Sequence, residues 1–64
     1  MKGWYTIRIY RGDETEGFVV QTRMDSPREA RAWLEKVLRG VLHSGRYELY
    51  DPKNKLIREE EIIR

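Results

Sequence analysis

Apolar and polar residues alternate in two short segments in the first half of the chain. Over residues 4–11, Tyr5, Ile7 and Ile9 occupy every second position. A period of two with β-branched and aromatic residues is typical of a half-buried strand. Residues 18–24 alternate in the same way, and the polar stretch 12–17 between them is bounded by glycines. The pattern therefore predicts a β-hairpin with its loop over 12–17.

The two sides of this predicted hairpin differ in character. We expect the side with the larger apolar side chains to face inward, together with Ile7 and Ile9. In the second strand that side consists of Phe18, Val20, Thr22 and Met24. The opposite side of the two strands consists of Trp4, Thr6, Arg8, Tyr10, Val19, Gln21 and Arg23. The alternation thus separates a core side from a side rich in aromatic and Arg residues.

A helix is predicted from residue 26 to about residue 43. Ser26 is placed to accept a hydrogen bond from the Glu29 N–H, and Glu29 to reach back to the Ser26 N–H, as in a capping box. Pro27 occupies the first helical position, where its missing N–H costs nothing. Apolar residues then recur at three- and four-residue spacing, in a stripe wide enough to cover a sheet. They are Ala30, Trp33, Leu34, Val37, Leu38, Val41 and Leu42.

The end of this helix admits two interpretations. In the first, the helix stops at Arg39 and Gly40 forms a left-handed cap. In the second, the helix continues to His43 and is capped near Gly45. Because the apolar spacing persists through Leu42, we favour the longer helix.

A second hairpin is predicted after the helix, with strands over 46–51 and from residue 55 to residue 57 or beyond. The run Asp51-Pro52-Lys53-Asn54 between them is a strong turn signal, because Asp bonds its own downstream backbone and Pro presets φ. Residues 59–63 either extend the last strand, form a short helical turn or fray. The element order is ββαββ. We expect an α+β two-layer fold in which one helix packs on one face of an antiparallel sheet.

Length and composition narrow the classes of function. The 64 residues allow a single domain over 1–64, and a core of this size leaves no room for a deep substrate cavity, so we expect no small-molecule substrate. With no cysteine and a single histidine, His43, we expect no metal site and no cofactor. No apolar run approaches the ~18–20 residues of a membrane span, so we expect a soluble, cytoplasmic protein without a membrane partner.

Candidate catalytic residues are few. His43, Ser44 and Asp51 supply the residue types of a triad, but adjacent side chains at a helix end rarely bring a hydroxyl to an imidazole. An exposed histidine favoured by the helix dipole is the preferred interpretation. Carboxylate pairs occur in a loop and near the C-terminus, where no apolar wall shifts a pKa. They are Asp13 with Glu16 and Glu59 with Glu61. We therefore expect no enzyme.

The sheet side away from the helix is the better candidate for function. A single helix covers one face of a sheet, so the other face meets water or a partner. Nucleic-acid bases stack on aromatic rings while guanidinium groups hold phosphate or guanine edges. Protein interfaces also use Trp, Tyr and Arg as hot spots, and cross-strand pairing that only stabilises the sheet is a structural explanation. The predicted binding residues are Trp4, Arg8, Tyr10, Arg23 and Arg58, with Tyr50 beside them.

Two runs of sequence carry a resemblance to a known family. They are Gly3-Trp4-Tyr5-Thr6-Ile7-Arg8-Ile9-Tyr10 and Ser26-Pro27-Arg28-Glu29-Ala30-Arg31-Ala32-Trp33-Leu34. Over about residues 3–38 the chain resembles the arm-type DNA-binding domain at the N-terminus of phage and transposon tyrosine integrases, which is similar to AP2-type plant domains. The resemblance implies a three-stranded sheet packed on one helix, with its exposed residues in the DNA major groove. It also implies that Trp4, Arg8, Arg23 and Tyr10 are contacts.

The leading hypothesis is a small non-enzymatic module that binds DNA through the exposed sheet face. The net charge of +2, from 13 Lys and Arg against 11 Asp and Glu, does not by itself favour nucleic acid. One alternative is a protein-interaction module or homodimer using the same face, and an open sheet edge with Ile62 and Ile63 would also invite self-association. Another is a de novo designed fold with no evolved ligand, because capping, turn and stripe agree at every level.

Overall fold

The computed structural model describes residues 3–12, 17–41 and 44–63. Its element order is ββαββ, and all four strands form one antiparallel sheet on which the helix packs, so the predicted α+β two-layer architecture is confirmed. The strands are β1 (Gly3–Arg11), β2 (Phe18–Met24), β3 (Gly45–Tyr50) and β4 (Leu56–Ile62), and the helix is α1 (Pro27–Arg39).

The strand order in the sheet is β2-β1-β3-β4. The first strand of the chain is therefore central, and α1 carries the chain from the β2 edge to the other side of β1. In the register, Ile7 pairs with Val20 on β2 and with Leu49 on β3. Since paired residues on antiparallel strands point to the same face, these three side chains define the face on which α1 packs.

The core lies between α1 and the central strands. Leu34 from the helix and Ile7 and Leu49 from the sheet are fully buried. Tyr47 is almost as completely enclosed, at 1% exposure. The other buried apolar residues of this cluster are Tyr5, Ile9, Ala30 and Val41. The prediction that Ile7 and Ile9 face inward is confirmed.

The start of α1 follows the predicted cap, with one change of partner. The Glu29 N–H donates to Ser26 Oγ at 3.3 Å, and Pro27 begins the helix. The Glu29 carboxylate accepts instead from the Asp25 N–H at 2.9 Å, one residue before the predicted donor. The reciprocal bond therefore ties the end of the β2–α1 connection to the first helical turn.

The end of α1 differs from the longer helix that we favoured. The helix ends at Arg39, and Gly40 follows with φ −89° and ψ 0°, a right-handed conformation that does not match the predicted left-handed cap either. The Gly40 N–H donates to Val37 O and the Val41 N–H to Leu38 O, so the last turn tightens before the chain leaves the helix. Val41 is buried although it lies outside the helix. The predicted positions of Leu42 and His43 lie outside the described residues.

The turn between β3 and β4 forms as predicted. Asp51 Oδ1 accepts hydrogen bonds from the N–H groups of Lys53 and Lys55, and Asp51 O accepts from the Asn54 N–H. Asn54 has φ 66°, the left-handed conformation that Asn tolerates better than most residues. The first hairpin turns through Gly12 at φ 59°, and its loop residues 13–16 lie outside the described residues.

Of the three possibilities for residues 59–63, extension of the last strand is correct, since β4 runs to Ile62. The register shifts once, between the Leu49–Arg58 pair and the Tyr50–Leu56 pair, so that Ile57 is an extra residue in β4. This bulge lets Ile57 pack against the core while Leu56 lies opposite Tyr50.

The β2 edge is less covered than predicted. Phe18 and Val20 pair with Ile9 and Ile7 and so lie on the helix side, but they remain 51% and 39% exposed. The single helix does not reach far enough to bury them. Both side chains therefore face the helix side as expected, but they are not buried beneath the helix. The part of the chain that the structure describes holds no helix of the length and apolar composition needed to cross a membrane.

Candidate binding surface

The sheet face opposite α1 is called the open face here. Its members alternate with the core residues of the strands, and the pairing register sets them side by side. Trp4, at one end of the open face, is 55% exposed, as the sequence predicted for this side of β1. The residues of the open face are Trp4, Thr6, Arg8 and Tyr10 on β1, Val19, Gln21 and Arg23 on β2, Arg46, Glu48 and Tyr50 on β3, and Leu56, Glu59 and Glu61 on β4.

Three guanidinium groups on the open face lie over aromatic rings. The Arg23 guanidinium carbon is 5.9 Å from the centre of the Trp4 ring, and the two residues are directly paired across β2 and β1. The other two pairs are Arg8 over Tyr50 at 5.2 Å and Arg46 over Tyr10 at 4.6 Å. All three distances are within the range of cation–π attraction. We call these three pairs the arginine–aromatic strip.

The cations of the strip differ in their electrostatic environment. The ion pairs of the described residues involve Arg46 and Arg58, and neither Arg8 nor Arg23 takes part in one. Both are exposed, so their guanidinium N–H groups are open to an incoming anion. In register, Arg8 is flanked by Val19 on one side and Glu48 on the other. Arg8 and Arg23 are therefore the two strip cations best placed to receive phosphate.

Glu48 lies near the centre of the open face and yet is only 9% exposed. One carboxylate oxygen accepts a 2.9 Å hydrogen bond from the Tyr50 hydroxyl. The other lies 3.6 Å from Arg46 Nε. Because both oxygens have partners, the desolvation of this charge is offset locally. The same contacts hold the side chains of Arg46 and Tyr50 in place beside their cation–π partners.

The hydroxyl of Tyr50 is held in its protonated form by this arrangement. Burial raises the pKa of Tyr50 above its ordinary value of 10.0, and the hydrogen bond to the negative Glu48 carboxylate adds to the rise. The nearby Arg8 charge acts in the opposite direction but is a smaller cause. At any pH below the ordinary tyrosine pKa of 10.0, the phenol is therefore protonated and donates its hydrogen bond to Glu48.

Carboxylates border the open face on the β4 side. Glu59 pairs directly with Glu48, and Glu61 pairs directly with Arg46. Both β4 residues are exposed. We call Glu59 and Glu61 the acidic border. The open face thus changes sign across the sheet, from cations and aromatic rings on β2, β1 and part of β3 to negative charge on β4.

Arg58 does not belong to the open face, so its predicted position beside Trp4, Arg8, Tyr10 and Arg23 is corrected. It pairs with Leu49, which faces the helix, and its guanidinium lies 3.3 Å from Glu35 on α1 and 2.9 Å from Glu60. The hydrogen bond to Glu60 is the largest cause of a raised pKa for Arg58, and the bond to Glu35 adds to it. Arg58 therefore links β4 to the helix layer.

The structure adds Arg46 and Glu48 to the residues that the sequence indicated. Trp4, Arg8, Tyr10 and Arg23 lie together on the open face as predicted, and their role in binding stays a prediction. The signal for Arg46 and Glu48 was present in the sequence, because they share their parity with Tyr50 along β3. This parity identifies them as neighbours of the predicted binding residues only when the β1–β3 register is known, because the register sets Arg46 beside Tyr10.

Other candidate chemistry was tested against the geometry. Asp51 was one of the three residue types of a possible catalytic triad. Its carboxylate instead accepts hydrogen bonds from two backbone N–H groups of the β3–β4 turn. Among the residues described, no three His, Cys, Asp or Glu side chains group in a way that could hold a metal ion.

Comparison with known proteins finds no matching family model and no similar curated protein or solved structure. The resemblance to arm-type integrase domains stays a prediction.

Proposed function

We propose that the protein is a non-enzymatic nucleic-acid-binding module that uses the arginine–aromatic strip. The observation that carries this proposal is the alignment of three Arg–aromatic pairs on one sheet face, with Trp4 half-exposed at its end. Aromatic rings provide stacking platforms for bases, and each stacked base contributes about 1–3 kcal/mol. A guanidinium held over a ring has lost part of its rotational freedom before a ligand arrives, so less entropy is lost on binding.

The charges of the strip support an anionic ligand. Arg8 and Arg23 lack carboxylate partners within the described residues, so a phosphate can pair with them without displacing one. Arg46 is already near Glu48 and contributes less positive field. We therefore assign phosphate contacts to Arg8 and Arg23, and base stacking to Trp4 and Tyr10. With two phosphate contacts, binding should be moderate and sensitive to salt.

A salt titration tests this proposal. Fluorescence anisotropy of a fluorescein-labelled oligonucleotide, measured with increasing protein at several NaCl concentrations, gives the slope of log K against log salt. We expect a negative slope, and in Arg8→Ala/Arg23→Ala a slope shallower by about 1–2. The matched control is Arg28→Ala/Arg31→Ala, which removes the same charge from the exposed side of α1. Equal losses in the two double variants would show non-specific attraction and would reject the proposed site.

If neither the wild-type protein nor either variant binds the oligonucleotide at low salt, the proposed nucleic-acid-binding function is rejected. Both variants should remain folded, since an exposed cation–π pair contributes only about 0.5–1 kcal/mol. Circular dichroism during thermal unfolding checks this point. A wild-type protein that binds no oligonucleotide but is fully folded would favour the alternatives of a protein partner or of a fold without an evolved ligand.

Self-association is a second candidate function, and the edge strand β2 favours it. Phe18, Val19 and Val20 are consecutive and are 51%, 52% and 39% exposed. They lie at the β2 edge, which presents unpaired backbone groups along its outer side. At the other edge, Leu56 is 43% exposed, Ile62 is half-buried and Ile63, which follows the end of β4, is 83% exposed; β2 differs in presenting three consecutive exposed apolar residues within the strand.

A second copy fits this edge in an antiparallel register. A two-fold axis at Gln21 would set Phe18 opposite Met24 of the second copy and Val20 opposite Thr22, all on the helix side. The gap that α1 leaves open would then be filled by apolar side chains from two copies. Sedimentation velocity over a range of concentrations tests this, with Val20→Lys as the edge-blocking variant. A wild-type protein that stays monomeric at millimolar concentration would contradict it.

A further inference from the structure

We propose that the open face accepts single-stranded nucleic acid and discriminates against the duplex. The proposal rests on the nucleic-acid function above and specifies its ligand. It also differs from what the resemblance to arm-type domains implies, which is insertion of the sheet into a major groove. Three features of the structure point to a single strand: the position of the acidic border, the width of the sheet and the length of the strip.

The acidic border leaves room for one phosphate backbone. Arg23 and Arg8 lie on β2 and β1, and Glu59 and Glu61 on β4, so cations line one side of the open face and carboxylates the other. A duplex presents two phosphate backbones, one on each side of a groove. A sheet face set against a duplex would bring the second backbone over the β4 carboxylates. Repulsion there opposes the duplex, whereas a single strand can follow β1 and avoid β4.

The width of the whole four-stranded sheet opposes its insertion into the major groove. The major groove is about 12 Å wide and admits a helix or a two-stranded ribbon. Four strands at about 4.8 Å spacing place the axes of β2 and β4 about 14 Å apart, before side chains are counted. The three strands that carry the strip, with Arg23 on β2, Trp4 on β1 and Tyr50 on β3, span only about 10 Å, but β4 lies directly beside them and makes the sheet wider than the groove.

The strip has the length of a short oligonucleotide. Trp4 and Tyr10 lie six positions apart on β1, which corresponds to about 20 Å. Tyr50 lies between them, because it pairs with Thr6. Stacking platforms at the two ends of this distance match about six nucleotides of a stacked strand at 3.4 Å each, and fewer if the strand is extended. The ligand we infer is a single strand of about four to six nucleotides that runs along β1.

The test compares one sequence in two forms. A fluorescein-labelled 12-nucleotide DNA of mixed sequence is titrated alone and after annealing to its complement, by anisotropy in 50 mM NaCl. We expect the single strand to bind at least about tenfold more tightly. Equal or tighter binding of the duplex would overturn this inference and leave the proposed function standing. Failure of both forms to bind would overturn the proposed function and this inference with it.

A charge variant tests the cause of the discrimination. In Glu59→Gln/Glu61→Gln, duplex affinity should rise at least about threefold, and single-strand affinity should rise less, because repulsion of the second backbone is removed. The control Glu29→Gln/Glu35→Gln removes the same charge from the helix layer, and Gln at position 29 can still serve the helix cap. The same gain in both double variants would overturn the role of the acidic border. Circular dichroism confirms that each variant is folded.

Discussion

The Tyr50 hydroxyl donates a 2.9 Å hydrogen bond to the carboxylate of Glu48, two residues earlier on the same strand. The two side chains lie on the same side of the sheet, as alternate residues of a strand do. Tyr50 also carries Arg8 over its ring, and Glu48 faces Arg46. One phenol and one carboxylate therefore link two of the three pairs of the arginine–aromatic strip.

Replacing Tyr50 by Phe should destabilise the fold by about 1–3 kcal/mol, because the buried Glu48 carboxylate loses a donor. Urea unfolding at pH 7 measures this change. A change within experimental error would contradict the proposed importance of the hydrogen bond. Tyr10→Phe is a suitable control, since it removes a hydroxyl from the same face and keeps the ring beneath Arg46.

The burial of Tyr50, together with its hydrogen bond to Glu48, makes stability depend on alkaline pH. The pKa of Tyr50 is raised in the folded protein, so the folded state retains the phenolic proton more strongly than the unfolded chain. The resulting stabilisation is fully present below the unfolded pKa of about 10 and is lost as pH rises through the higher folded pKa. Urea unfolding at pH 8 to 11 should show a steeper loss in wild type than in Tyr50→Phe. Parallel profiles would contradict this prediction.

Replacing Glu59 by Thr should stabilise the fold by up to about 1 kcal/mol. Glu59 pairs directly with Glu48, and like charges in opposite positions of an antiparallel pair are destabilising. Thr also favours the strand conformation. Thermal unfolding at low and high salt checks the cause, because the gain should shrink when salt screens the charges. A loss of stability would show that Glu59 has a favourable contact that outweighs the repulsion.

Two glycines should respond oppositely to alanine. A Cβ on Gly40 would meet its nearest neighbour, Val37 O, at 3.6 Å, and its φ of −89° suits any residue, so Gly40→Ala should stabilise by about 0.4–1 kcal/mol. A Cβ on Gly45 would lie 2.6 Å from Tyr10 O, so Gly45→Ala must push β3 away from β1. Thermal unfolding of both variants measures the difference. A stable Gly45→Ala protein would contradict the close approach of the two strands.

Truncation of Leu34 tests the core. Leu34 is fully buried between α1 and the sheet, so Leu34→Ala should cost about 2–5 kcal/mol, a large share of the stability of a domain this small. Arg31→Ala, on the exposed side of the same helix, should change stability by less than about 0.5 kcal/mol. Urea unfolding followed by circular dichroism compares them. Similar losses in both variants would contradict the assigned faces of α1.

Much of the architecture was predictable because local signals agreed with it. Alternation along β1 and β2, the Ser26 cap and the Asp51 turn each act within a few residues, and each appears in the structure. The end of the helix was not predictable in this way. Val41 continues the helical spacing and is buried, but it reaches the core from outside the helix. Burial alone therefore does not distinguish a last helical turn from the segment after it.

Only part of the candidate site could be predicted from the sequence. The parity of β1 and β2 placed Trp4 and Arg23 on one face without any knowledge of the sheet. Arg58 was misplaced because the bulge at Ile57 changes the face of every later residue in β4. The exposure of Phe18 depends on where the helix crosses the sheet, which is set by packing of the whole core.

The central position of β1 has a consequence for biosynthesis. One of its sides pairs with β2 through a nearby loop, while its other side pairs with β3, whose first residue is Gly45. During translation, Ile7 therefore lacks its cross-strand neighbour on β3 until Leu49 has been synthesised. A nascent chain that stalls after α1 would carry a hairpin with an unprotected inner strand, vulnerable to aggregation. Synthesis of the β3–β4 hairpin thus completes the sheet and protects the free side of β1 from pairing with other chains.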